Sequence, residues 1–267
     1  MTKPAGAGEW LFRALCAVIL VFLMTPTLLI LPMSFSPTEQ LVFPPKGFSL
    51  DWYRLFFTDS GWVDATLFSL QIAALTTLAS VVIGAMAALA LVRGRLPGRE
   101  TLEALLLAPL IVPHIIVAIA VYLQFAPLGL TGTRLGFVLI HTALAVPYVV
   151  LVVSAALQRL PPSLEMAGLN LGASRLSCFW WITMPLIGPA ILAGGVFSAL
   201  ASFDETVVSF FISGIEHKTV TRKMFEDIEF NVSPIIAAAS TVFVVGTVAL
   251  MWLADTAKRT AAGAAER

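Results

Sequence analysis

The sequence predicts an all-α, polytopic membrane protein with six transmembrane helices. Three observations lead there. Hydrophobic residues make up 58% of the 267 positions and charged residues only 12%, with a mean hydropathy of +0.92; a soluble domain is nearer half apolar and a quarter charged. Six apolar runs reach the roughly 20 residues a helix needs to cross the hydrocarbon core. No segment between them is large enough to bury a core of its own, which argues against an attached catalytic domain.

The first run, 11–33, follows Lys3 and includes Arg13 near its start. It is too long for a cleavable signal and has no clear small-x-small cleavage site, so it is expected to remain as a first span. The second, 63–92, is long enough to tilt or protrude. The third and fourth, 102–125 and 135–157, contain Pro109, Pro113 and Pro147, with Pro127 just beyond the third. Proline removes a ladder hydrogen bond, so kinks or interruptions are expected there. The fifth, 186–212, carries Asp204 and Glu205, which leave its outer boundary uncertain; its Gly194-Gly195 pair permits close helix approach. The sixth is 234–254. The chain is read as a single membrane domain over 1–267.

Basic residues orient the spans. With both termini inside, ten Lys and Arg fall in cytoplasmic segments and six outside. The outer segment 34–62, with Pro37, Pro44, Pro45 and Gly47, is expected to be largely irregular. The outer segment 214–233 has room for a short amphipathic helix around 220–230. With Asp64 at the start of the second run, the outer side holds eight acids against six bases, which suits a cationic solute and equally suits docking to a basic rim of a partner. Zero net charge gives no reason to expect nucleic acid. Cys16 and Cys178 are read as packing residues, and no metal-ligand spacing or nucleophile-base pair is visible.

The loop over 158–185 lies on the cytoplasmic side in this topology. Pro161-Pro162 should end the fourth span, and Ser163 is a plausible N-cap for a short helix, with Met166 where a capping box prefers Glu or Gln. Leu164, Ala167 and Leu171 fall on one apolar face. Gly172 can end that helix in a left-handed conformation. Ser174 can cap a following turn, and Pro185 marks entry to the fifth span.

From Gly172, nine residues lead to Ile182, then one to Met184-Pro185. This loop resembles the signature of ATP-binding-cassette importer permeases: Glu-Ala-Ala, three residues, Gly, nine residues, Ile-x-Leu-Pro. Aligned on Gly172, the family's Glu falls on Met166 and its alanines on Ala167 and Gly168; Glu165 stands one place earlier, and Met184 replaces Leu. The resemblance implies a type I importer permease fold in which Glu165, Met166, Ala167, Gly168, Leu171, Gly172 and Ala173 form a cytoplasmic coupling helix. Either Glu165 takes the family Glu's role from the adjacent position, or the contact with the ATPase is mainly apolar.

Carboxylates in an apolar run are costly, so Asp204 and Glu205 are candidates for the translocation path. Capping a helix break is the competing explanation. Ser209, His114 and Tyr122 are further path candidates, while His114 and His141 can instead bond across helix interfaces. Ser202-Phe203-Asp204-Glu205, Arg222, Met224-Phe225 and Ser233-Pro234-Ile235-Ile236-Ala237-Ala238 resemble the second permease subunit of spermidine/putrescine importers. The likeness covers about 63–254. It implies a bacterial inner-membrane, multi-pass subunit importing a small solute by alternating access, a polyamine first, with an amino acid or opine as runner-up. An ion-coupled carrier would show inverted repeats or paired broken helices, and no convincing repeat is present.

The family implies a second permease subunit, two cytoplasmic ATP-binding subunits and a periplasmic solute-binding protein, with lipid around the spans. A phosphate-cradling Gly-x-x-x-x-Gly-Lys-Ser/Thr motif is absent from the sequence. ATP and Mg are therefore expected in the partner ATPases, with no cofactor in this chain and no enzymatic activity of its own.

Overall fold

The computed structural model describes residues 7–214, 217–230 and 233–265, with side chains over 8–214, 217–229 and 233–249. Twelve α-helices are present among them: α1 (Ala7–Met33), α2 (Asp51–Thr58), α3 (Ser60–Arg93), α4 (Arg99–Leu107), α5 (His114–Phe125), α6 (Arg134–Arg159), α7 (Pro162–Asn170), α8 (Arg175–Cys178), α9 (Met184–Asp204), α10 (Val207–Ile212), α11 (Val220–Phe230) and α12 (Pro234–Ala265). A 3-10 turn follows α4 and a π-helical turn, Phe179–Thr183, joins α8 to α9. Four helical stretches are long and apolar enough to cross a membrane: α1, α3, α6 and the continuous run Arg175–Asp204. The pair formed by Arg99–Leu110 and α5 makes a fifth if counted as one span. The last helix is apolar over Pro234–Ala249, which agrees with a sixth.

Two expected spans take a different form. The third is no straight helix: its halves meet at 96° around Ile111–Pro113. Pro113 holds an extended conformation at the N-cap of α5 and disfavours helix in the residue before it. The fifth ends at Asp204, because Glu205 turns to extended backbone, and 207–212 becomes the separate α10. Pro147, by contrast, does not interrupt α6; it is buried along the helix's packed face. Within 34–62, α2 was not anticipated, whereas α11 spans the amphipathic stretch expected around 220–230.

Contacts divide the chain into two units. The first comprises Met1–Val63 and Met224–Arg267. In it, α12 packs on α1 and α2, and the irregular segment before α2 is tied by side chains. Ser34 Oγ and Tyr53 Oη share a hydrogen bond of 2.5 Å, and Trp52 Nε1 donates to the Ser36 carbonyl at 2.9 Å. Phe35 stacks on Phe48 with ring centroids 5.0 Å apart.

The second unit, Asp64–Lys223, is organised around α6. Most of the apolar stretch of α6 is buried. Toward its start, Phe137, Ile140 and Leu144 pack with Phe68 and Ile72 of α3, Ala118 of α5, and Val208 and Ile212 of α10. Toward its end, Val149, Val153 and Leu157 pack with Ala88 of α3 and Ile187 of α9. Glycine permits the closest approach. A Cβ on Gly84 would stand 2.7 Å from Val149 Cβ, and one on Gly194 would stand 3.2 Å from Val149 Cα. Val149 is thus gripped between α3 and α9. Ser80 and Ser198 join those two helices by a 2.5 Å hydrogen bond, which satisfies both buried hydroxyls without help from water.

Candidate functional site

The second unit presents two arrangements that bear on function: the loop helix α7 with its support, and a junction where two helix breaks meet.

α7 begins with Pro162 at its first position and Pro161 as N-cap. Ser163 therefore lies inside the first turn and does not cap it. Proline suits that place because its missing N–H would be unbonded there anyway. The helix ends in a Schellman motif. Gly172 N–H donates to the Leu169 carbonyl and Ala173 N–H to the Gly168 carbonyl, both at 3.0 Å. Gly172 has φ of +89°, the left-handed conformation glycine adopts at least cost. Ser174 then caps α8, accepting from Ser177 N–H at 3.1 Å.

The remainder of the motif is the surface on which α7 rests. A Cβ on Gly168 would come 2.8 Å from Ile182 Cδ1 and 2.9 Å from Cys178 Sγ, so glycine sets the packing distance there. Thr183, 2% exposed, donates its hydroxyl to Glu165 Oε1 at 3.0 Å. Arg93 Nε reaches the same oxygen at 3.3 Å, and Arg93 Nη2 donates to the Leu160 carbonyl at 2.8 Å. Met166 and Ala167 are exposed on the other side, and Leu171 is 88% exposed. The nine-residue spacing from Gly172 to Ile182 is thus the length of chain that folds α8 and the π-turn back beneath α7.

At the second place, the bend before α5 meets the break between α9 and α10. His114 Nδ1 lies 2.8 Å from Glu205 Oε2, and Glu205 Oε1 accepts the Val208 N–H at 2.9 Å. The carboxylate therefore caps α10 with one oxygen and holds the first residue of α5 with the other. Only 6% of the Glu205 side chain is exposed, against 43% for His114. Thr221 donates to the Glu205 carbonyl at 3.4 Å. One helical turn away on α10, buried Ser209 bonds His141 Nε2 at 3.2 Å, while His141 Nδ1 bonds Ser202 on α9 at 2.9 Å. A neutral imidazole has one donor and one acceptor, which suits two hydroxyls that can each play either part.

Asp204, the last residue of α9, is exposed, and its carboxylate has no hydrogen-bond partner among the described residues. Adjacent acids thus have opposite surroundings. Of the path candidates, the structure brings together Glu205 with His114, and Ser209 with His141. It does not bring Tyr122 to them: Tyr122 is exposed and lies eight residues along α5 from His114, about 12 Å of helix rise. Sequence reasoning did not single out Arg93 or Thr183, and it took Ser202 only as part of the Ser-Phe-Asp-Glu run. Each is an ordinary polar residue near the end of an apolar run, and only its partner gives it meaning. Among the described residues, no three His, Cys, Asp or Glu side chains form a metal-binding group.

The bent and broken helices and the short loop helix are set among long apolar helices fit to cross a membrane, which defines the chain as a polytopic membrane protein. The family model described as the binding-protein-dependent transport system inner membrane component matches residues 80–260. The chain belongs to that family and is a permease subunit of ATP-binding-cassette importers. Curated relatives agree along most of its length. It is 33% identical over 237 residues to the putrescine transport system permease protein PotI of Escherichia coli strain K12, covering 86% of this chain and 84% of that one. It is 27% identical over 246 residues to the spermidine/putrescine transport system permease protein PotC of Haemophilus influenzae, covering 92% and 95%. A chain from the crystal structure of a bacterial transporter that imports the acidic polysaccharide alginate has the same fold, with a TM-score of 0.74 at 17% identity over 96% of this chain and 99% of that chain.

Proposed function

We propose that this permease carries a polyamine such as spermidine or putrescine inward across the bacterial inner membrane. It works beside a second permease subunit, two cytoplasmic ATPases that bind ATP and Mg, and a periplasmic binding protein that delivers the solute. Both termini lie in the cytoplasm, on the same side as α7. The observation that carries the coupling role is the two-sided character of α7: one side is fastened to the end of α3 and to Thr183 at the entry to α9, and the other offers exposed Met166 and Leu171. Closure of the ATPases moves this helix, the attached helices tilt with it, and the path opens alternately to either side. This chain makes and breaks no covalent bond.

The cargo reading rests on the relatives' transport of putrescine and spermidine and on Asp204. An exposed carboxylate at the end of a spanning helix attracts an ammonium group, and a nearby apolar surround strengthens that attraction. Glu205 is engaged in the junction, so the two acids should fail differently. Asp204→Asn in the complete importer is expected to raise the solute concentration needed for half-maximal uptake about tenfold, the effect of losing roughly 1.4 kcal/mol of charge interaction, without lowering thermal stability. Glu205→Gln is expected to lower both uptake and thermal stability, because the amide binds the backbone N–H and His114 more weakly. Labelled putrescine uptake and thermal denaturation of the purified complex check both. Uptake of an amino acid or opine in preference to putrescine would replace the cargo and leave the importer role standing.

A further inference from the structure

We infer that Glu165 is a positioning residue: its carboxylate fastens the coupling helix to the permease's own helices, and the surface offered to the ATPase is apolar. This rests on the importer reading above.

Consecutive residues on a helix point about 100° apart, so Glu165 can turn inward while Met166 faces outward. The burial separates them. Glu165 is 25% exposed and Arg93 22%, whereas Met166 is 60% and Leu171 88% exposed. A single oxygen, Glu165 Oε1, accepts from Arg93 at the end of α3 and from Thr183 at the entry to α9. Through its second nitrogen Arg93 also holds the last turn of α6 at the Leu160 carbonyl. The end of α3 and the entry to α9 therefore meet on one side chain of α7, and Arg93 ties the chain at the end of α6 to the same cluster. Within 161–178 Glu165 is the sole acid in the sequence, so an acidic grip on a basic groove would have to use this carboxylate. Its inward engagement leaves exposed Met166 and Leu171 as the contact surface.

An ion pair of this exposure adds little to stability. Its consequence is mechanical, because α7 cannot slide or roll without dragging α3 and α9. Removing the strut should leave the ATPases docked and hydrolysing while their motion reaches the spans poorly.

The test uses the complete importer in proteoliposomes, with three readouts: ATPase subunits retained per permease, ATP hydrolysed, and solute imported per ATP. Glu165→Gln and Arg93→Gln are each expected to retain the ATPase subunits at wild-type stoichiometry. Each should lower solute imported per ATP about tenfold, a coupling loss within the usual range between linked sites. The conservative Arg93→Lys, which keeps a charged donor for Glu165 and the Leu160 carbonyl, should retain most of the ratio that Arg93→Gln loses. Met166→Asp should instead strip the ATPase subunits from the complex. Loss of ATPase subunits in Glu165→Gln but not in Arg93→Gln would overturn the inference, since the carboxylate would then touch the motor itself. Unchanged solute per ATP in both would overturn it as well. Failure of the importer reading looks different: the wild-type complex would show no ATP-dependent uptake at all.

Discussion

Gly172→Asp is expected to lower uptake at least a hundredfold while the membrane helices stay folded, and Gly172→Asn is expected to leave most of the activity. A side chain at this position meets nothing within 4 Å, so neither substitution clashes. The penalty is conformational. The left-handed φ of +89° costs an ordinary L-residue about 1–2 kcal/mol, and Asn and Asp tolerate it best. The Schellman hydrogen bonds from Gly172 and Ala173 to Leu169 and Gly168 use backbone atoms and survive both changes. What differs is charge. Asp sets a carboxylate beside Leu171 at the apolar contact, and an unpaired charge buried there costs about 3–5 kcal/mol. Uptake and ATPase retention in the assembled importer, measured for both variants, check this. Equal failure of Asn and Asp would place the defect in the backbone turn; full activity of Asp would mean that α7 is not the docking face.

The second large effect is expected at the centre of the second unit. Gly84→Leu should lower the denaturation temperature of the purified protein by about 5–10 °C or prevent its accumulation, since overpacking a tight core costs about 1–3 kcal/mol or more. A first methyl already falls 2.7 Å from Val149 Cβ and 3.3 Å from the Val146 carbonyl oxygen. Val149 cannot retreat, because Gly194 of α9 closes on its backbone from the other side. Gly84→Ala should give a smaller shift in the same direction. Gly188→Leu provides the comparison: its Cβ meets nothing within 4 Å, and no loss of thermal stability is expected. Thermal denaturation followed by size-exclusion fluorescence distinguishes the three, and an unaffected Gly84→Leu would contradict the three-helix packing.

Much of the architecture is legible in the residues because the bilayer imposes a length on each apolar run, and because proline and glycine mark where runs stop. The boundaries of α3 and α6 follow from that alone. Pro113 is a clear sign of a break, yet its 96° consequence depends on where the two halves find neighbours. Pro147 carries the same chemistry and breaks nothing, because α6 is held on several sides at that level. The Asp204-Glu205 pair signals a polar site. That one acid is buried in a cap and the other exposed is a matter of which side of a helix end each occupies. The loop motif identifies the coupling helix by spacing. Its inner logic becomes visible only when Arg93, which precedes Glu165 by 72 residues, is found beside it.

Polar residues in this chain join broken or short helices to long ones, at α7 and at the Glu205 junction. The central claim is that such a chain moves solute only when an external motor drives it. Uptake of labelled spermidine tests that claim most directly, in proteoliposomes holding either the complete importer or this chain alone. The account predicts accumulation against a gradient only with the complete importer, ATP on the ATPase side and the binding protein present. Accumulation by this chain alone, driven by an imposed ion gradient without ATPase subunits, would contradict it.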